Sequence, residues 1–196
     1  MFLNITGRTR TGLLGAVFRK TAELELPAGV EYLKENASGD GTSLEQLSKD
    51  AVGECLDAGR GGFLVDFPAV EGVSSMADMQ GRSALIHHYG AESIIDWDEQ
   101  VVDGVKRLVY VCLLECVSVF SPDSLERTTT TQYRVLLLVG GRYVQRVYAE
   151  DGNTYTEVAP LDKNGRPFDH ILFSFYGAQN NDCLLYTSPS PRDKRQ

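Results

Sequence analysis

At 196 residues with 42% hydrophobic side chains, the chain is long enough to bury one core of ordinary domain size. Its formal charge of -8 and its isoelectric point of about 4.9 exclude a surface that attracts nucleic acid or anionic lipid throughout, and leave only local basic patches for such contacts. Cys55, Cys112, Cys116 and Cys183 are irregularly spaced, which argues against a secreted disulfide framework and for a reducing, cytosolic setting.

No apolar stretch is long enough to span a bilayer, and Met1 to Asn4 lacks the charged start and apolar body of a secretory signal. Thr9 to Lys20 begins with threonines able to cap and continues through Leu13, Leu14, Val17 and Phe18, a short amphipathic helix with Arg19 and Lys20 at its cation-favouring end. Arg8, Arg10, Arg19 and Lys20 make this end locally basic, either as a solvated face or as a docking surface for an acidic neighbour. Ala22 to Pro27 alternates briefly and breaks at proline, and Val30 to Glu35 suits a turn or two of helix. Ser38 to Gly41 is a loop. Ser43 then serves as N-cap to a run carrying Leu44, Leu47, Ala51, Val52, Cys55 and Leu56 at near-helical spacing. Gly59-Arg60-Gly61-Gly62 ends it in a tight turn, followed by a buried strand from Phe63 to Pro68.

Residues 1–68 thus form a helical part ending in a helix–turn–strand unit, 69–83 a surface loop, and 84–178 the β-rich part of the same domain. Arg82 to Trp97 predicts a strand, a bend near Tyr89-Gly90 and a second strand through Ile94-Ile95. Lys106 to Phe120 is a long β-branched run, apolar on both faces apart from Glu115, as expected of a central strand covered on both sides or meeting a neighbouring subunit. Thr128 to Glu150 carries the clearest hairpin signal, Tyr133–Val139 and Arg142–Tyr148 about Gly140-Gly141. Turns at Asp151-Gly152-Asn153 and Lys163-Asn164-Gly165 precede a last strand, Ile171 to Tyr176. The fold class is α+β, short N-terminal helices packed on a mainly antiparallel meander.

Several groups of residues invite a chemical reading that their spacing does not support. A phosphate loop needs a strand feeding glycines that open a helix, and around Gly59 to Gly62 the order is reversed. His87 and His88 are adjacent on a strand and point to opposite faces, which suits partly buried histidines better than metal ligands. Cys112 and Cys116 share a strand face without a second ligand pair, and read as core thiols. Asp162 to Gly165 lacks the later ligands of a calcium loop and reads as a turn. Among the carboxylates Asp66, Asp96, Asp98 and Glu115, Glu115 is the oddest, and an edge position or a buried ion pair accounts for it better than catalysis. No cofactor or metal is expected.

The order of these signals resembles a family of tailed-phage portal proteins, the portal-like group known as a phage domain of unknown function. Arg8-Thr9-Arg10-Thr11-Gly12-Leu13-Leu14-Gly15-Ala16-Val17-Phe18-Arg19-Lys20 resembles its opening motif. Gly41-Thr42-Ser43-Leu44 with Gly59-Arg60-Gly61-Gly62-Phe63-Leu64-Val65-Asp66 is similar to its helix and glycine-rich turn. Tyr89 to Trp97 resembles its tyrosine, alanine-glutamate, double-isoleucine, tryptophan strand, and Tyr133-Arg134-Val135-Leu136 with Gly141-Arg142-Tyr143 its hairpin. The likeness covers about Asn4 to Asn180. Arg82-Ser83-Ala84 departs from the arginine-proline-tyrosine lead-in of the family.

The resemblance implies the body, or wing, of a portal subunit: part of a ring at the capsid vertex through which a motor drives DNA and to which the tail attaches. It implies a virion protein assembled in the host bacterial cytoplasm, non-enzymatic, with copies of itself, other virion proteins and the motor as partners. DNA would pass without sequence-specific binding, and no membrane is involved. The family begins upstream of the arginine-threonine motif and continues after the last strand into apolar helices, so a fragment is expected. Leu184 to Asp193 resembles a translated sequencing adapter, so 183–196 is expected to be non-native and 179–196 a disordered tail. The alternatives are a small hydrolase or nuclease with a carboxylate site, and a head-to-tail adaptor or binding module.

Overall fold

Asn4 opens the first helix: its side-chain Oδ1 accepts the Gly7 N–H at 2.8 Å, and α1 runs Ile5–Val17. In this computed structural model, which describes residues 4–67, 83–102, 104–122, 125–162 and 164–177, α1 starts earlier than the threonines predict. Thr9 and Thr11 do not cap. Their hydroxyls donate back to the carbonyls of Ile5 and Gly7, at 3.1 and 2.9 Å, as threonines inside a helix do. Arg19 and Lys20 consequently lie beyond its end. A 3-10 stretch follows at Ala28–Lys34.

The second helix, α2 (Leu44–Ala58), has the predicted cap, Ser43 Oγ accepting from Gln46 N–H at 3.1 Å. Gly59 closes it at a φ of +78°, the left-handed conformation that glycine adopts without strain. One residue makes the turn. The first strand, β1, is Arg60–Asp66, so Gly61 and Gly62 belong to the strand and not to the predicted four-residue turn. The physical reason is close approach: a Cβ on Gly61 would run into the Tyr176 ring, and one on Gly62 into the Phe173 ring.

Those two rings stand on or beside β8 (Phe173–Gly177), which pairs antiparallel with β1 through Gly61↔Tyr176 and Leu64↔Phe173. With β2 (Leu85–Gly90) the order is β2-β1-β8, a three-stranded sheet. Leu64, Tyr89 and Phe173 are buried there, and α2 adds Leu47. The described residues of Met1–Val65, Ala84–Ala91 and Phe173–Gln196 make up this compact unit.

The described residues of Asp66–Ser83 and Glu92–Leu172 make up a second unit, a five-stranded antiparallel meander. Its strands are β3 (Ile94–Val102), β4 (Val105–Ser121), β5 (Glu126–Val139), β6 (Arg142–Tyr148) and β7 (Tyr155–Val158), in that order. Gly140 and Gly141 both take positive φ, +56° and +75°, as the tight hairpin between β5 and β6 requires. Val111, Leu113, Leu136 and Tyr143 are fully enclosed and form the core.

The β-rich stretch therefore serves two sheets and not one meander. Among the described residues, the long strand β4 is also not flanked along its whole length. β3 pairs with it only as far as Leu113, and β6 pairs with β5 only as far as Tyr133. Beyond those points β4 and β5 continue as a two-stranded ribbon, on which Val119 and Phe120 are exposed. Cys116 lies on this ribbon and is exposed, whereas a core thiol was expected. Cys112, within the sheet, is half-buried.

The expected loop at 69–83, apart from Ser83, and the expected tail at 179–196 lie outside the described residues.

Candidate functional site

In the first unit, side chains of the arginine-threonine motif meet α2. Arg10 Nε donates to Asp57 Oδ2 at 2.6 Å, and its guanidinium lies against Gly53, one turn earlier on the same helix face. Gly53 is buried, and a side chain there would displace the arginine. Phe18 is half-buried with Lys49 Nζ above its ring at 5.8 Å from the centroid. The outward side of α1 is different: Ile5, Arg8, Leu13 and Val17 on it, and Arg19 and Lys20 just past its end, are exposed.

The same unit gathers Phe63, His88 and Tyr176. The ring of Phe63 lies 4.8 Å from that of Tyr176 and 5.6 Å from that of His88, and the Tyr176 hydroxyl is hydrogen-bonded to His88 Nε2. Burial lowers the pKa of His88, against the opposing pull of Glu54 and Asp50. Burial raises that of Tyr176, helped by Cys55, Glu54 and Asp50, so the phenol remains protonated and donates to a neutral imidazole. Glu54 itself is held in place by the Ala91 N–H, which it accepts at 2.7 Å. His87 and His88 are both partly buried.

The second unit contains a larger polar network centred on Arg134. Its Nε donates to Glu115 Oε1 at 2.6 Å, and its Nη1 to Asp66 Oδ2 at 3.2 Å and Gln145 Oε1 at 3.0 Å. Gln145 Nε2 donates to Asp66 Oδ1 at 3.1 Å and to the Tyr143 hydroxyl at 2.8 Å, and Gln132 Nε2 to Glu115 Oε2 at 2.6 Å. One guanidinium thus bridges two carboxylates, with side-chain exposures of 21% for Arg134, 18% for Asp66 and 16% for Glu115. Glu115 is an ion-pair partner, as its apolar surroundings predict. Burial holds the Tyr143 phenol well above its usual pKa.

Such a network is internal, its carboxylates and amides engaging the guanidinium and one another. Among the described residues no buried side-chain nitrogen or oxygen lacks a partner, no group of three or more metal-binding side chains converges, and no helix is long and apolar enough to cross a membrane. An open groove of about 400 Å³ lies on the same sheet, with Asp98, Gln100, Tyr110, Leu137, Leu138 and Gly141 along it. Burial pushes the Tyr110 phenol there up to about 12.

The remaining residues named from the sequence are dispersed. Gly12 and Gly15 sit in α1 with open space around them. Arg60 opens β1 opposite Gly177. Trp97 on β3 faces Val111 across the ladder, Tyr133 lies between Leu114 and Tyr148, and Gly141 is in the hairpin turn. Within their own units, Asp66 meets Arg134 and the Arg10 side chain meets α2. Sequence reasoning named Asp66 and Glu115 and missed Arg134, Gln132 and Gln145 as their partners. The signal was present: Arg134 interrupts an apolar run as Glu115 does, two residues off in cross-strand register.

Neither a protein-family model nor a curated protein matches the chain.

Proposed function

We propose that this chain is the helix-and-sheet body of a tailed-phage portal subunit, a structural part of a ring at the capsid vertex rather than an enzyme. The observation that carries the reading is what its motif residues do. Arg10 ties α1 to α2, Gly59 turns the chain into β1, Asp66 enters the Arg134 network and Gly141 turns the hairpin. These are packing and joining roles. They suit a subunit whose partners are copies of itself, other virion proteins and the packaging motor, with DNA passing through the assembly and no cofactor bound. Its place would be the virion, assembled in the host bacterial cytoplasm.

The rival reading, a hydrolase or nuclease, draws on Asp66 and Glu115, the two carboxylates that one guanidinium brings together. The decisive experiment is to express the full reading frame that encodes this chain and image the product by negative stain. Closed rings with a central channel are expected. A product that stays monomeric, or that cleaves DNA in the presence of a divalent cation, would overturn the portal reading.

A further inference from the structure

The charges of this acidic chain are segregated. From Ile5 to Ala22 there are Arg8, Arg10, Arg19 and Lys20 and no acidic residue, whereas from Ser83 to Val105 there are Glu92, Asp96, Asp98, Glu99 and Asp103 and no lysine or arginine. Structure sharpens the contrast. Arg10 is spent on Asp57, but Arg8, Arg19 and Lys20 are exposed and enter no ion pair among the described residues. They flank an apolar stripe at helical spacing, Ile5 (63% exposed), Leu13 and Val17 (61%), on a helix that buries none of its residues. A stripe of this kind is stable in water only at the cost of exposed apolar surface.

On the opposite side of the charge balance stands β3, the edge strand of the five-stranded sheet. Glu92, just before it, and Asp96 and Asp98 within it are exposed and outside any ion pair among the described residues; Ile95 and Val101 (73%) are exposed between and beyond them. Glu99 is already paired with Lys106. Two register shifts, between Ile94 and Asp96 and between Asp98 and Glu99, interrupt the ladder. Bulges of this sort spoil an edge for the addition of another strand, and a common alternative cover for an edge is a helix.

We infer that the outward face of α1 in one copy docks on the β3 edge of a second copy, a head-to-tail contact that rests on the ring-subunit reading. The lengths agree: Ile5 to Val17 spans about 18 Å of helix, and Ile95 to Val101 about 20 Å of strand. Apolar side chains meet along the centre, while Arg8, Arg19 and Lys20 face Glu92, Asp96 and Asp98. Because the two surfaces differ, the contact is heterologous and propagates from copy to copy.

Two charge-reversed forms of the whole chain test it, Arg8→Glu with Arg19→Glu, and Asp96→Lys with Asp98→Lys, each checked for folding by circular dichroism and melting temperature. Sedimentation velocity over a concentration series at low salt should show wild-type self-association that weakens as salt is added. Each variant alone should associate on the order of tenfold more weakly or worse. An equimolar mixture of the two should recover wild-type association, since the reversed helix of one then meets the reversed edge of the other. Wild-type protein that stays monomeric throughout, a variant that associates normally, or a mixture that fails to recover would each overturn the contact. Salt-sensitive binding to anionic vesicles that the helix variant loses, without self-association, would instead assign the α1 face to lipid and overturn it too. Failure here with intact rings from the full reading frame would reject this contact and leave the ring reading standing.

Discussion

Four glycines separate the uses of that residue. Gly61 and Gly62 sit in a strand under aromatic rings, so Gly62→Ala should cost about 1–3 kcal/mol, the ring of Phe173 being rigid and hemmed in by its neighbours. Gly12 and Gly15 have nothing within 4 Å, and alanine at either should raise stability by about 0.5–1 kcal/mol by favouring the helix. Urea unfolding of the three variants measures both signs. His88 gives a pH dependence with a definite sign. Its pKa in the folded chain lies below the usual 6.5, so as pH falls past 6.5 the unfolded chain takes up a proton that the folded one refuses. Stability is therefore lost on acidification, down to the depressed folded value, where the imidazolium also ceases to accept from Tyr176. His88→Gln should flatten the change in melting temperature between about pH 7 and about pH 5.5.

Among the elements, the β4–β5 ribbon combines the longest pairing with the least support. Twelve consecutive cross-strand pairs run from Tyr110↔Leu137 to Ser121↔Glu126, yet from Leu114 outward β4 pairs, among the described residues, with β5 alone. Two strands alone bury little, and the four threonines Thr128 to Thr131 fit a pleated strand without needing a core. Amide hydrogen exchange should accordingly be fast from Val117 to Phe120 and Thr128 to Thr130, and slowest at Val111, Leu113 and Leu136. Uniform protection along the ribbon would show that something covers it in solution.

For the molecule as a whole, the last strand among the described residues is β8, ending at Gly177. The stretch from Cys183 on is rich in proline and polar residues and has little apolar surface to offset its ordering entropy. A chain stopped after Asp182 should melt within about 1 °C of the full chain by differential scanning fluorimetry, below the roughly 2–4 °C shift that loss of 1 kcal/mol produces in a chain of this size. A larger fall would make the tail part of the fold.

Local chemistry made much of this protein legible in its sequence: the Ser43 cap, the Gly59 stop, the Gly140-Gly141 hairpin and the apolar alternation of the strands act over a few residues and leave a pattern there. The α+β class followed from them. Tertiary structure alone decided which strands share a sheet. The pairing of Gly61 with Tyr176 and of Gly62 with Phe175 joins residues more than a hundred positions apart, and neither partner marks the other in sequence. The same holds for Arg134, which reads as an isolated charge until Glu115 and Asp66 arrive on separate strands to neutralise it. Period and propensity report on neighbours along the chain; sheet order and charge compensation depend on long-range closure, whose energy is settled only when the strands meet.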